Sequence, residues 1–333
     1  MKALQSFPQS KLYQEFFAQN ESFANKCLKK GLLYQTYWKG KYSENSCSFM
    51  DMGKKVSKCQ VCAKLKDVFD ITDEIFEGKY CMAISGDGQE YRRISTLHSS
   101  SLIALLCFYS ISKDHPLTMD IEGEKVEFYK SRFEQKNSIG KDEAGNEHNS
   151  NMDIVLIGQN SAEESVILFL ESKFSEYLKH RKYEGISRIY DDVYNELTAN
   201  RQLQPIDGLN IVQGLDSWSI SATPERPQAY CEGIKQMISH YQGIKKGFIG
   251  SDKDTFDKIY LGEILFKFGT KVDNNNEDFI NYSGYYKDLA KRLNEINNDD
   301  QFKLLDESLT YQDVFKDFKL DDSVQKFYGI GKK

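Results

Sequence analysis

The clearest patterning of apolar and polar positions lies in the middle of the chain. Residues 117–136, LTMDIEGEKVEFYKSRFEQK, read as a hairpin turning at Glu122-Gly123. Its second arm, residues 126–136, is polar at alternate positions, as a half-exposed strand would be. Residues 152–158 form a further strand with one acid, Asp153. Residues 166–174 are apolar on both faces until Glu171-Ser172-Lys173, as expected of a central strand covered on both sides. A helix start follows that strand.

Outside this block the periods change. Residues 1–30 read as helix, with Tyr13, Phe16, Phe17, Phe23 and Leu28 near helical spacing. Residues 80–85 read as a strand ahead of a turn at Gly86-Asp87-Gly88, and from about Ser95 a helix with an apolar second half is predicted. Residues 137–150 are a polar loop, and residues 200–227 are loop-rich, with Pro205, Pro224 and Pro227. Residues 228–241 form an amphipathic helix with Tyr230, Ile234, Met237, Ile238 and Tyr241 on one stripe. Gln236 and His240, four apart, share another face. Residues 258–268 read as a strand closing the sheet, and residues 285–296 as a helix among Asn/Asp-rich loops. The expected fold class is α/β (α+β), with a central mixed sheet flanked by helices and with N-terminal and C-terminal additions.

At 333 residues with 40% hydrophobic positions and only 5 Pro, the chain can bury a large core in one domain or two. The longest apolar run, residues 102–109, is far too short to span a bilayer. The segment MKALQSFPQSK lacks a signal-peptide apolar core, so a cytoplasmic location and no membrane partner are expected. Seven Cys without even spacing agree with reduced thiols. Cys59-Gln60-Val61-Cys62 supplies half a Zn²⁺ site, and no second pair or nearby His completes it, so Cys59 and Cys62 read as unliganded thiols. The net charge of −6 argues against a uniformly basic nucleic-acid binder. Yet ten lysines between Lys26 and Lys66 face only Glu44 and Asp51. This segment is a candidate for phosphate contact, or else a solvated lysine face.

The candidate chemistry is at the end of the apolar strand. Alternation sets Glu171 and Lys173 on one face and Ser172 on the other. If residues 152–158 pair with that strand, Asp153 lies near both. Two carboxylates and an ammonium at the end of a buried sheet are expensive without a bound cation. The spacing (D/E)xK is not specific by itself: Glu77-Gly78-Lys79, Glu134-Gln135-Lys136 and Asp317-Phe318-Lys319 fit it too. The flanks favour Glu171/Lys173, because only residues 167–170 have the pattern of a central strand.

An acid, a spacer and Glu-x-Lys at the end of an apolar strand resemble the PD-(D/E)xK nuclease core. The text SNMDIVLIG with LFLESKFSEYL is similar, more narrowly, to bacterial restriction endonucleases. The Pro of the motif is absent, with Asn151-Met152 before Asp153. The resemblance covers roughly residues 85–270. It implies a division into an N-terminal helical and basic segment (1–68), a nuclease core (69–270) and C-terminal accessory helices and loops (271–333). It also implies a Mg²⁺-dependent endonuclease acting on double-stranded DNA, of restriction type, with Mn²⁺ as a substitute ion and a homodimer as a further candidate assembly. The other readings are a repair or recombination nuclease on the same core and a non-catalytic DNA-binding module. Asp153, Glu171 and Lys173 are the implied catalytic residues, with Asp153, Glu171 and Glu90 as metal ligands. Glu134, Gln236 and His98 are weaker candidates for the same site. Lys179, Arg181 and Lys182, just past the motif, are the implied DNA-backbone contacts.

Overall fold

The computed structural model describes residues 15–16, 18–20, 22, 50–51, 54–55, 58–85, 90, 94, 99–142, 144–178, 183–199, 209–213, 217–222, 231–249, 255–269 and 277–331. His98, Lys179, Arg181 and Lys182 lie outside the described residues, as does most of the 1–68 segment.

The fold is α/β, built on an open, mixed, seven-stranded sheet flanked by helices. Strands β1 (Leu117–Ile121), β2 (Glu124–Lys141), β3 (Glu147–Asn160) and β4 (Ser165–Lys173) form an antiparallel meander. A second, three-stranded antiparallel sheet joins β5 (Tyr183–Ser187), β6 (Leu209–Gln213) and β7 (Ser217–Ala222). Strand β8 (Lys258–Leu265) returns to the main sheet parallel to β4. Its other edge takes β9 (Phe302–Leu304) and β10 (Leu309–Thr310), also parallel. Residues 166–171 of β4 and all of β8 after Lys258 are buried, as strands covered on both faces must be.

The covering helices are short and follow local signals. Helix α1 is Lys58–Phe69 and α2 is Ile75–Ala83. Helix α3 (Ser100–Phe108) starts at Ser99, whose side chain accepts the amide of Leu102. Helix α4 is Asp191–Ala199, α5 is Cys231–Gly243 and α6 is Glu277–Ile296. Helix α3 lies on the face of β4 toward which Ser172 points: the Ser172 hydroxyl donates to the carbonyl of Ser100. Helices α5 and α6 lie on the opposite face, where they meet Glu171 and Glu263. One hydrophobic core runs through both layers, from Val61 to Ile330. No helix among the described residues is long and apolar enough to cross a membrane.

Five local expectations are corrected. Residues 80–85 are mostly the end of α2, with Phe76, Tyr80 and Ala83 buried at helical spacing. A short apolar run cannot be assigned by period alone, and here the helical face meets the core. The polar loop expected at 137–150 is mostly ladder: β2 and β3 stay paired out to Lys141 and Glu147, leaving only five residues between them. Solvent explains the polarity, because the arm projects from the sheet with one side open. The loop-rich stretch 200–227 contains β6 and β7. The helix start after Lys173 is only a three-residue turn, Glu176–Leu178. Strand β8 does not close the sheet but lies inside it, with β9 and β10 beyond.

Candidate active site

Four acids stand level on four adjacent strands. Glu171 of β4 and Glu263 of β8 are register partners. The β3–β4 ladder ends at Ile154 and Leu170, so Asp153 comes one step beyond, beside Glu171. Glu134 falls between the pairs Phe133–Ile154 and Gln135–Met152, level with Asp153. The ladder breaks at this line. Glu134 takes a left-handed backbone, φ 50°, a conformation that favours glycine and is strained for a glutamate. The Asp153 carboxylate Oδ2, not a backbone carbonyl, accepts the amide of Ser172 at 2.8 Å. Asp153 thereby bridges to the strand that carries Glu171 and Lys173.

Around Glu171 the polar groups close into a chain. Lys173 Nζ donates to Glu171 Oε1 at 2.5 Å and to Gln236 Oε1 of α5 at 2.5 Å. His240, one turn later on α5, places Nε2 at 2.7 Å from Glu171 Oε2. Its Nδ1 is 2.5 Å from the Ser150 hydroxyl. With the imidazole neutral, Nε2–H donates to the carboxylate and Nδ1 accepts the Ser150 proton, which fixes one tautomer. Glu171, Lys173, His240 and Ser150 are all buried, whereas Asp153 is half-buried. Helix α5 covers Glu171 through His240, and Asp153 is the more exposed of the two acids.

The charges are mutually dependent. Burial pushes the Asp153 carboxyl well above the usual carboxylate range, and Glu171 and Glu134 push it further. Burial works against the charged form of Glu171 as well, but the Lys173 ammonium and the hydrogen bonds from Lys173 and His240 outweigh it and hold the carboxyl low. Burial would discharge Lys173, yet Glu171, Glu176 and Asp153 overcome it and raise the ammonium above its ordinary value. The net picture is an ion pair at Glu171–Lys173 beside an Asp153 carboxyl whose charged form is poorly compensated. Glu263 is fully buried, holds Tyr282 and Ser308 through one oxygen each, and burial raises it to about 7.

Asp153, Glu171, Lys173, Glu134 and Gln236 are thus brought together. Glu90 is half-buried with Oε2 unpartnered among the described residues, but it is not among the acids acting on Asp153. His240, Ser150 and Glu263 complete the cluster. The sequence held a signal for His240 in its four-residue spacing from Gln236, while Ser150 and Glu263 have none without the register. Cys59 is exposed and Cys62 is buried on α1, where burial raises the Cys62 thiol to about 11.

Carboxylate oxygens of Glu134, Asp153 and Glu171 are the donor chemistry a hard divalent cation prefers. A cation there would relieve the repulsion that raises Asp153. Each carboxylate oxygen has a second lone pair, so the bonds to Lys173, His240 and Ser172 leave capacity for a ligand. Among the described residues, however, no three His, Cys, Asp or Glu side chains are already gathered as a metal-ligand set. No protein-family model, curated protein or solved structure matches the chain.

Proposed function

We propose that the chain is a Mg²⁺-dependent nuclease of the PD-(D/E)xK kind that hydrolyses phosphodiester bonds in DNA, as a restriction-type endonuclease. The observation that carries this reading is the junction of Asp153, Glu171 and Lys173 at the end of a central strand, with Gln236 of a later helix on Lys173. A helix beginning at Ser100 packs on that strand from the other side.

Asp153 and Glu171 would hold the ion, with Glu134 level beside them and the Ser172 carbonyl as the family pattern implies. Bound Mg²⁺, or Mn²⁺ in its place, lowers the pKa of a water and offsets the charge of the reacting phosphate. Lys173, raised above its ordinary pKa, keeps its proton near neutrality. Its part would be to orient the attacking water and offset the developing negative charge of the phosphate. Gln236 and Glu171 fix the ammonium in direction. His240, held by Ser150, fixes the second oxygen of Glu171.

The test is cleavage of supercoiled plasmid in Mg²⁺ and in EDTA. Wild type should cut only with the ion, and Asp153→Asn should cut at least about 100-fold more slowly. The Asn side chain can still accept the Ser172 amide, so that variant should fold. Discrete fragments support restriction-type cutting; random or end-directed loss supports a repair nuclease. No ion-dependent cutting by the wild type, or equal cutting by Asp153→Asn, rejects the catalytic reading.

A further inference from the structure

Strand β2 carries Lys130, Ser131 and Arg132 in succession, just before Glu134. Lys79 of α2 reaches this stretch, donating to the Ser131 hydroxyl at 3.0 Å and also to the Ser131 carbonyl. The contact comes from 52 residues away and meets Ser131, whose side chain lies on the other face of β2 from Lys130 and Arg132, toward α3. Lys130 is exposed, and Lys79 and Arg132 are half-buried. Among the described residues none of the three has a carboxylate partner, although the chain as a whole carries a net charge of −6.

We propose that Lys130 and Arg132, which share a face of β2 with Glu134, form a contact surface for the phosphodiester backbone of the nucleic acid whose scissile bond lies at Asp153. The proposal rests on the nuclease reading for the placement of that bond. Arg132 pairs with Val155 and stands two residues before Glu134, which is level with Asp153. At about 3.4 Å per strand residue, Arg132 and Lys130 lie about 7 and 14 Å along β2 from the acid line. Both are therefore near enough to meet phosphates neighbouring the reacting one. The electrostatics agree. Burial, together with Lys130 and Arg132, lowers the Lys79 ammonium to about 8, and no carboxylate is among the causes. Such uncompensated charge is stabilised by an anion. A backbone of regularly repeated phosphates fits a row of cations on an extended strand better than an acidic protein segment does.

The experiment is binding of a fluorescent DNA duplex in EDTA over a series of salt concentrations, read by anisotropy. EDTA separates binding from cutting. The variant is Lys130→Ala/Arg132→Ala, which leaves the Lys79–Ser131 contact in place; urea unfolding of the same sample checks its fold. Binding should weaken about tenfold or more near 0.1 M salt, and the slope of log affinity against log salt should fall by about 2. Charge reversal at Lys130→Glu should weaken binding more than Lys130→Ala. Unchanged affinity and slope in the folded double variant overturn the proposal, as does failure of the wild type to bind duplex at low salt. If the wild type binds through these cations but never cuts, the catalytic reading fails and the surface stands. If it cuts and the double variant binds normally, the surface fails and the catalytic reading stands.

Discussion

Glu263 is the residue whose environment most directly governs how the fold responds to pH. Its carboxyl is fully buried, one strand away from Glu171, and burial raises it from the ordinary 4.5 to about 7. A folded-state value above the unfolded one means that the folded chain keeps this proton to higher pH. The stability associated with it is complete below about pH 4.5 and is lost as pH rises toward 7, by up to about 3 kcal/mol. Urea unfolding at pH 5, 6 and 7.5 should show this fall in the wild type. In Glu263→Gln, where a neutral amide can bond Tyr282 and Ser308 at every pH, the slope over that window should flatten. A slope unchanged by the substitution would assign the effect to other groups. At this scale the sequence was partly legible. The Glu-x-Lys spacing and the apolar flank singled out Glu171 and Lys173. Asp153 followed from strand pairing, whereas Gln236 came from the resemblance, and helical period added only that it shares a face with His240. Glu263 was hidden because its strand, KIYLGEILFKF, reads as a uniform buried run. Only the register with β4 sets that acid beside Glu171.

At the scale of elements, the site depends on how closely α5 can approach the sheet. Helix α5 carries both Gln236 and His240, and it continues through a wide turn, Ile244–Phe248, lying against the β2–β3 arm. Gly247 permits that approach: a Cβ there would stand 2.4 Å from the Ser138 amide nitrogen and 2.6 Å from its carbonyl oxygen. Backbone cannot swing aside as a side-chain tip can, so Gly247→Ala should destabilise the fold by about 1–3 kcal/mol. The displaced helix should also loosen the bonds of Gln236 and His240 to the site and slow any cleavage. Gly284, within α6, is the control. Nothing lies within 4 Å of its added Cβ, so Gly284→Ala should raise stability by about 0.5–1 kcal/mol through helix propensity alone. Paired urea titrations read both signs; a neutral Gly247→Ala would mean that the arm yields. The arm itself was misread from sequence as loop. Its residues, NSIGK and EHNSN, are polar because solvent lies on one side, and turn-like composition does not reveal that two such stretches pair. Strand β4 was legible as a continuous apolar run ending in Glu-Ser-Lys, and α5 because its apolar stripe is long enough to fix a face.

At the scale of the whole molecule, the question is whether the last sixty or so residues form an attachment or part of the core. From sequence, 271–333 reads as an accessory region of Asn/Asp-rich loops joining short helices. In the fold the same segment supplies both strands on the outer edge of β8. Tyr282 and Ser308 satisfy the two oxygens of Glu263. The hydroxyl of Tyr311 meets that of Ser172 at 2.7 Å, inside the Glu-x-Lys motif and on the face opposite Glu171. Removing the segment would therefore uncover one edge of a central strand and leave a buried carboxyl without partners. Each unsatisfied buried polar group costs about 1–3 kcal/mol, more when charged, against a total stability of about 5–15 kcal/mol for an ordinary domain. A chain ending at residue 270 should consequently fail to give a cooperative urea transition, while the full chain unfolds in a single step seen alike by tryptophan fluorescence and far-ultraviolet circular dichroism. Two separated transitions in the full chain, or a folded and cooperative 1–270 fragment, would show that the site is complete without its C-terminal neighbours. The single transition is the expected result, because the acids of the site and the strands that carry them are held from both sides of the sheet by residues far apart in the chain.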